Sequence, residues 1–383
     1  MPETLTAIVV GAGQAARAQI DALRNADVEV IGVLAASNAI ARRFADELQI
    51  PHSGSVLETL LADHPPQIVA IANTADARLA QIPAAISAGC HLLCERPLGI
   101  NAEQARQFHD LATDRGIKTA FSSSLLFQPQ AIFLRELIAQ GEIGRIQEVE
   151  VVSHTQWPRL TPRSWQHQLQ SGGGRLNQLF PQSLLAVKSV LQLEILAVQG
   201  HCRCDLTQAP EPNPDLPWKS FARRTPTEEE LARMTWSPAD ADTSYTVNVL
   251  FGRRGGSAQD TVSVLFRHAA YSPAWQSDTV SFLGETGTLQ LIGPQWNGDL
   301  LAHVRGKHWE ERAIPFEILD QLPLEQEDSR RNLMTLVLQF VAEIRGDEEF
   351  MPYPTFRDGW ICQAAIDAVR KQASWVELPS ERT

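Results

Sequence analysis

Ile8-Val9-Val10-Gly11-Ala12-Gly13-Gln14-Ala15-Ala16 is an apolar run that enters a glycine turn and leaves it as a helix-forming stretch. That context gives the spacing G-x-G-x-x-A a chemical meaning. Gly11 permits the tight turn, Gly13 lets the backbone approach a pyrophosphate, and Ala16 allows close helix packing while the helix N-terminus faces negative charge. Gln14 and Ala15 lie inside the same turn, and the pattern predicts a dinucleotide site. An acidic residue roughly 20 positions on would bind the ribose hydroxyl of NAD. The second apolar run instead ends Val33-Leu34-Ala35-Ala36-Ser37-Asn38, without a carboxylate. Ser37 with Arg42 or Arg43 would receive a 2′-phosphate, so the expected cofactor is NADP or NAD with NADP favoured, although surface arginines on a helix are commonly only solvated. Asn73 and Thr74 complete the cofactor-binding set.

These residues need a scaffold. Leu5 to Val10, Val28 to Leu34, Ile68 to Asn73, His91 to Glu95 and Lys118 to Ser122 are short, nearly continuous apolar runs, the pattern of strands buried on both faces. Helical stretches separate them; Ala16, Ile20 and Leu23 recur at helical spacing, and Asn101 with Gln104 reads as a capping box. Alternating strands and helices predict a parallel sheet covered on both faces. After a helix around Gln130 to Ala139, which Gly141 ends, the period changes to two from Val149 onward. Thr243 to Phe251, Asp260 to Arg267, Asp278 to Leu283 and Thr288 to Ile292 continue it, with glycine turns between them. Helices return near Asn177 to Leu191, Glu325 to Arg345 and Asp358 to Gln372.

The predicted fold class is therefore α/β: an N-terminal Rossmann domain over residues 1–124 and an α+β domain over 125–383, whose large open sheet is mainly antiparallel. All nine tryptophans and all three tyrosines lie after residue 150, which marks the two halves as differently built. Residues 205–240 hold Pro210, Pro212, Pro214 and Pro217 before an acidic stretch, and read either as an insertion or as a cover loop.

Composition narrows the function. With 383 residues, 44% hydrophobic and 20% charged, the chain is long enough for two cores. A net charge of -12 repels phosphate backbones and anionic lipid, so neither nucleic acid nor a membrane is expected as a partner. No apolar run approaches the ~20 residues of a membrane helix and no signal peptide is legible, which predicts a cytoplasmic protein. Five cysteines without a C-x-x-C pair suggest buried thiols and no metal site.

Cys94-Glu95-Arg96-Pro97-Leu98-Gly99 resembles the E-K-P signature of the glucose-fructose oxidoreductase, inositol dehydrogenase and rhizopine-catabolism (Gfo/Idh/MocA) family. Gly11 to Ala16, Ala84 to His91, the Gly172-Gly173-Gly174 turn and Phe356-Arg357-Asp358-Gly359 fall in family order. The resemblance implies hydride transfer between a nicotinamide dinucleotide and a sugar, polyol or related small molecule, with Glu95 and Arg96 at the cofactor. It also implies a homo-oligomer, at least a dimer, through the open sheet.

The departures fall on the catalytic positions. The family's lysine, aspartate and histidine correspond here to Arg96, Gln178 and Gln182, with Phe180 in place of a glycine. Glutamine does not titrate and arginine stays protonated, so none of the three is a general base. Two readings follow. In the favoured one the enzyme still transfers hydride, with Arg96 supplying fixed positive charge and Gln178 and Gln182 orienting a changed substrate. In the other the fold is a non-catalytic dinucleotide-binding regulator, and side chains such as Phe180 and Leu126 fill the substrate pocket. His167, in the loop before Gly172 and preferred over His154, is the expected replacement proton donor.

Overall fold

A computed structural model describes residues 4–158, 160–221, 224–272, 277–347, 350–372 and 374–380. The chain divides into two compact units. The first comprises Met1–Phe133, Leu184–Val190 and Ile314–Ala364, and the second Leu134–Ser183, Leu191–Ala313 and Ala365–Thr383. The first unit's leading segment thus runs past residue 124, and the unit takes in two later segments.

In the first unit, β1 (Thr6–Val10), β2 (Glu29–Leu34), β3 (His52–Gly54), β4 (Ile68–Ile71), β5 (His91–Cys94) and β6 (Thr119–Phe121) form one sheet in the order β3-β2-β1-β4-β5-β6. Every pairing is parallel. Helices α1 (Gln14–Asn25), α2 (Asn38–Leu48), α3 (Leu57–Asp63), α4 (Arg78–Ser87) and α5 (Ala102–Asp114) make the crossovers. Apart from β3, whose residues are half-buried or exposed, the strands are largely buried because helices cover both faces, which is why they read as continuous apolar runs. The capping box at α5 is only half formed. Asn101 accepts from the Gln104 N–H, but the Gln104 side chain reaches one residue further back, to the Ile100 N–H at 2.8 Å.

Four longer helices follow: α6 (Pro129–Ala139), α7 (Arg175–Leu191), and then, after three short helices of which two are taken up below, the pair Asp328–Arg345 and Phe356–Arg370 near the end of the chain. The helix Asp328–Arg345 packs into the first unit. Its Leu333, Leu336, Val337, Phe340 and Val341 share one core with Ile20 and Leu23 of α1, so this late segment completes the first unit.

The second unit is built on a nine-stranded sheet. It contains β7 (Ile146–His154), β8 (Glu194–Arg203), then β11 (Ser244–Gly252), β12 (Val262–Ala269), β13 (Thr279–Gly284), β14 (Gly287–Ile292), β15 (Asp299–Val304), β16 (Glu310–Glu311) and β17 (Val376–Glu377), while β9 (Gln208–Pro210) and β10 (Trp236–Pro238) form a separate pair. The order is β16-β15-β14-β13-β7-β12-β11-β8-β17, antiparallel except for the parallel pair β7 and β12. On β11, Tyr245, Val247, Val249 and Phe251 are buried, while Thr246, Asn248 and Leu250 lie on the half-exposed face.

Residues 205–240 fold largely on themselves. The β9 and β10 pair brackets two short helices, α8 (Trp218–Phe221) and α9 (Glu228–Ala232), and Leu216, Phe221 and Met234 form a small core with Leu160 and Trp218. The segment also packs on part of its own unit. The Arg163 N–H donates to Pro210 O at 2.7 Å, and the Asp240 and Ala241 N–H groups converge on His167 O.

Candidate functional site

The first unit gathers its candidates at the C-terminal edge of the parallel sheet. Val10 pairs with Ile71, Ile71 with Cys94 and Cys94 with Phe121, so Gly11, Ala72, Glu95 and Ser122 follow at one level. The chain leaves β1 toward β2 on one side, and β4 lies on the other, which makes this edge a topological switch point where open α/β sheets bind ligands. Gly11 sits at φ +133, and a Cβ there would lie 3.0 Å from Ala72 O, so the fold itself demands glycine. Gly13 differs: its φ is -107 and a Cβ would meet no protein atom within 4 Å. Gly13 is therefore a glycine that no contact within the protein requires. Helix α1 begins there with no side-chain cap and no acidic residue in its first turn, leaving its positive end open. Gln14 is exposed, Ala15 half-buried and Ala16 buried. These features fit a dinucleotide.

Arg78 holds the neighbouring loops, and nothing in the sequence singled it out. Its side chain is 1% exposed and its guanidinium donates to the carbonyls of Asn73, Glu95 (2.6 Å) and Pro97. One cation thus fixes the backbone after both β4 and β5. Asn73 additionally donates to Gln81 Oε1 at 2.6 Å, and Thr74 precedes a 3₁₀ turn over Ala75–Ala77. Arg96 is 22% exposed; its Nη1 donates to Ser122 O and lies 3.9 Å from Glu95 Oε2. Burial lowers its pKa while Glu95 opposes the shift, and Gln19 Nε2 stands 3.4 Å from the other Glu95 oxygen.

At the end of β2, Ser37 caps α2, its Oγ accepting from the Ile40 N–H at 3.3 Å. The serine therefore has a structural use besides the expected one. Arg42 and Arg43 are exposed. Asn38 and Arg42, one turn apart, line a cavity of about 590 Å³ together with His52 and His64, whose rings stack at 3.4 Å.

The second unit places its candidates around the start of α7. Gly173 is enclosed by carbonyls, since a Cβ there would lie 2.5 to 2.7 Å from the oxygens of Trp165, Gln166 and Gln168. Gly174, at φ +101, presses on the Asp242 carboxylate. Asp242 caps α7 from 66 residues away: Oδ2 accepts from the Leu176 N–H at 2.7 Å, and Oδ1 takes Arg370 Nη2 at 2.6 Å. Arg175, Gln178 and Gln182 recur at helical spacing along α7. Arg175 Nη1 donates to Gln178 Oε1 at 3.1 Å, and its guanidinium lies 3.7 Å from the centre of the Trp157 ring. Gln182 is half-buried. Phe180 is fully buried, edge-on to Tyr245 and Phe266, and Leu126 lies within the first unit's core, so both side chains are committed to packing.

His167 is not an exposed loop residue. It is 4% exposed, Nδ1 accepts from the Ser164 N–H at 3.1 Å, and Nε2 faces Thr161 Oγ1 at 3.3 Å. Its ring stacks on Trp157, and burial foremost lowers its pKa, with Arg163 and Arg175 adding to the effect. The expected proton donor is thus a buried residue, both of whose ring nitrogens engage groups of its own loop. His154 ends β7, where its backbone N–H donates to Asp278 at 2.9 Å.

A model described as the NAD-binding Rossmann fold of the oxidoreductase family matches residues 5–122. A second, the GFO/IDH/MocA C-terminal domain, matches residues 132–290. Trans-1,2-dihydrobenzene-1,2-diol dehydrogenase of Macaca fuscata fuscata is 25% identical over 304 residues, covering 76% of this chain and 75% of that protein. An uncharacterized oxidoreductase of Synechocystis sp. is 29% identical over 182 residues, 46% of this chain and 48% of the relative, so that match spans about half the relative's length. The structure of levoglucosan dehydrogenase in complex with NADH and L-sorbose superposes with a TM-score of 0.79 at 18% identity, covering 98% of this chain and 99% of that one. That likeness is one of fold.

Proposed function

The chain belongs to the Gfo/Idh/MocA family of NAD-binding oxidoreductases, and on that premise we propose that it transfers hydride between NADP and a small alcohol or carbonyl substrate. The open, uncapped Gly11–Gly13 turn at the switch point carries this reading, because Gly13 is explained by a ligand and by no contact of the protein. NADP is preferred over NAD because no carboxylate follows β2, while Asn38 and Arg42 line one cavity.

When bound, the nicotinamide supplies or takes up the hydride. Gln14 and Ala15, at the open end of α1, would donate backbone N–H groups to the pyrophosphate, and Ser37 and Arg42 would meet the 2′-phosphate. Asn73, Thr74, Glu95 and Arg96 border the same sheet edge. Arg96 provides a fixed positive charge there for negative charge developing on a substrate oxygen; tied to Ser122, it needs little reorganisation. Gln178 and Gln182 orient by neutral hydrogen bonds. Since His167 is buried and both its nitrogens are engaged, the proton is assigned to solvent and His167 to positioning the Ser164–His167 turn.

Calorimetric titration with NADP and NAD tests the reading. NADP should bind more tightly, and Gly13→Ala should weaken binding at least about tenfold while costing less than about 1 kcal/mol of stability, as its Cβ meets open space. Absence of binding by either cofactor would refute the proposal. Binding without turnover across sugars, polyols and their acids would move the chain to the regulatory alternative.

A further inference from the structure

Arg175 carries a charge that has no counter-ion among the described residues of the second unit. Among the described residues no carboxylate lies within ion-pair distance of its guanidinium, and Asp242, the acid whose field it feels, is engaged by Arg370. One face of the guanidinium lies on Trp157, whose ring is nearly parallel to that of Tyr271, with centroids 6.2 Å apart. Of its donors, Nη1 is directed at Gln178 and Nε is buried without a partner. Leaving a half-buried cation in this state is costly unless an anion completes it.

A second polar atom nearby also lacks a partner. His268 is 2% exposed; its Nδ1 is bound to Ser153 Oγ at 2.8 Å, whereas Nε2 has no hydrogen bond. The Arg175 charge acts on this ring and on Tyr245 beside it. Arg175 thus presents a flat cation on an aromatic plate beside a glutamine amide, a donor set that recognises a carboxylate flanked by hydroxyl groups.

We propose that Arg175, seated on Trp157, is the receptor for a carboxylate of the substrate, and that the chain acts on a small hydroxy acid of the sugar-acid type. The assignment rests on the oxidoreductase reading for the word substrate, but recognition of the carboxylate is independent of it. At a net charge of -12 the molecule repels anions at long range, so a local cation is what makes such a ligand possible.

The test is calorimetric titration of the full chain, with and without NADP, using D-gluconate against D-glucitol and D-glucuronate against D-glucose. At least one acid should bind about tenfold more tightly than its neutral counterpart. Arg175→Met should abolish that preference and leave NADP affinity unchanged; Arg175→Lys should retain a reduced preference, since an ammonium keeps the charge without the planar fork. Equal binding of acids and neutral partners by the parent overturns the proposal, as does an undiminished preference in Arg175→Met. Should Arg175→Met fail to fold, the parent and Arg175→Lys decide between the same outcomes. NADP binding without any carboxylate preference removes this inference alone, whereas a carboxylate preference without dinucleotide binding removes the oxidoreductase reading alone.

Discussion

His268 and His167 are buried imidazoles whose pKa values are lowered chiefly by loss of solvent, His268 to about 3. In the unfolded chain each titrates near the ordinary value of about 6.5. Below that pH the unfolded state binds more protons than the folded one, so stability falls as pH decreases. The contribution of the neutral rings is complete above about pH 6.5 and, for His268, continues to be lost toward about pH 3. Asp278, whose pKa burial raises, works in the opposite sense, so parent and variant must be compared. The urea midpoint should drop between pH 7 and pH 5, and His268→Gln should reduce that drop; equal drops in the two proteins would contradict the account. Residues of this kind mark the limit of reading single positions in a sequence. Gly11 and Gly13 were legible because their chemistry lies within six consecutive residues. Arg78 grips carbonyls up to 19 positions away, and His268 meets a serine 115 positions away, so local spacing holds no trace of either.

At the scale of elements, α7 is held at its start by a residue outside it. Asp242 receives the Leu176 N–H and at the same time binds Arg370 of the helix Phe356–Arg370, so one 4%-exposed carboxylate ties a helix N-terminus to a second helix. Asp242→Asn should cost about 3 kcal/mol, because it leaves Arg370 largely buried without its counter-charge. The double variant Asp242→Asn/Arg370→Met should lose less than the sum of the two single losses, as expected for a directly coupled pair. Urea denaturation measures all three, and additive losses would show that the pair is not coupled. The three glycines before α7 were legible only as a family-ordered triplet; the carbonyls around Gly173 and the carboxylate against Gly174 give the physical reason. Long apolar strands and amphipathic helices could be read directly. Strand β3 could not, since its three residues His52-Ser53-Gly54 have neither an apolar run nor alternation.

At the scale of the whole molecule, the two halves were legible from the change of period and from the aromatic residues, but the chain's return to the first unit was not. Leu333, Leu336 and Phe340 have helical spacing that fits any core, and only the tertiary partner decides which one. The second sheet poses the same question on its other face. Register sets Gln199, Asn248, Leu265, Glu150, Ser281, Gln290 and Leu301 in one cross-strand row. Ala197, Leu250, Ser263, Glu148, Leu283 and Thr288 form another. The apolar row at Val249 is fully buried within the unit, so the face to be covered is the opposite one, where Leu250 and Leu283 of one row and Leu265 and Leu301 of the other remain half-exposed among polar neighbours. We propose that a second copy of the chain covers this face in a two-fold arrangement, in which each leucine row meets its own symmetry mate. Light scattering at micromolar concentration should give twice the chain mass. Leu250→Glu should return it to the single-chain mass with little loss of folded stability, since this side chain contributes to the open face and not to the core. A monomeric parent would show that the leucines are merely dispersed on a solvated sheet, and an undissociated Leu250→Glu dimer would place the contact on some other surface.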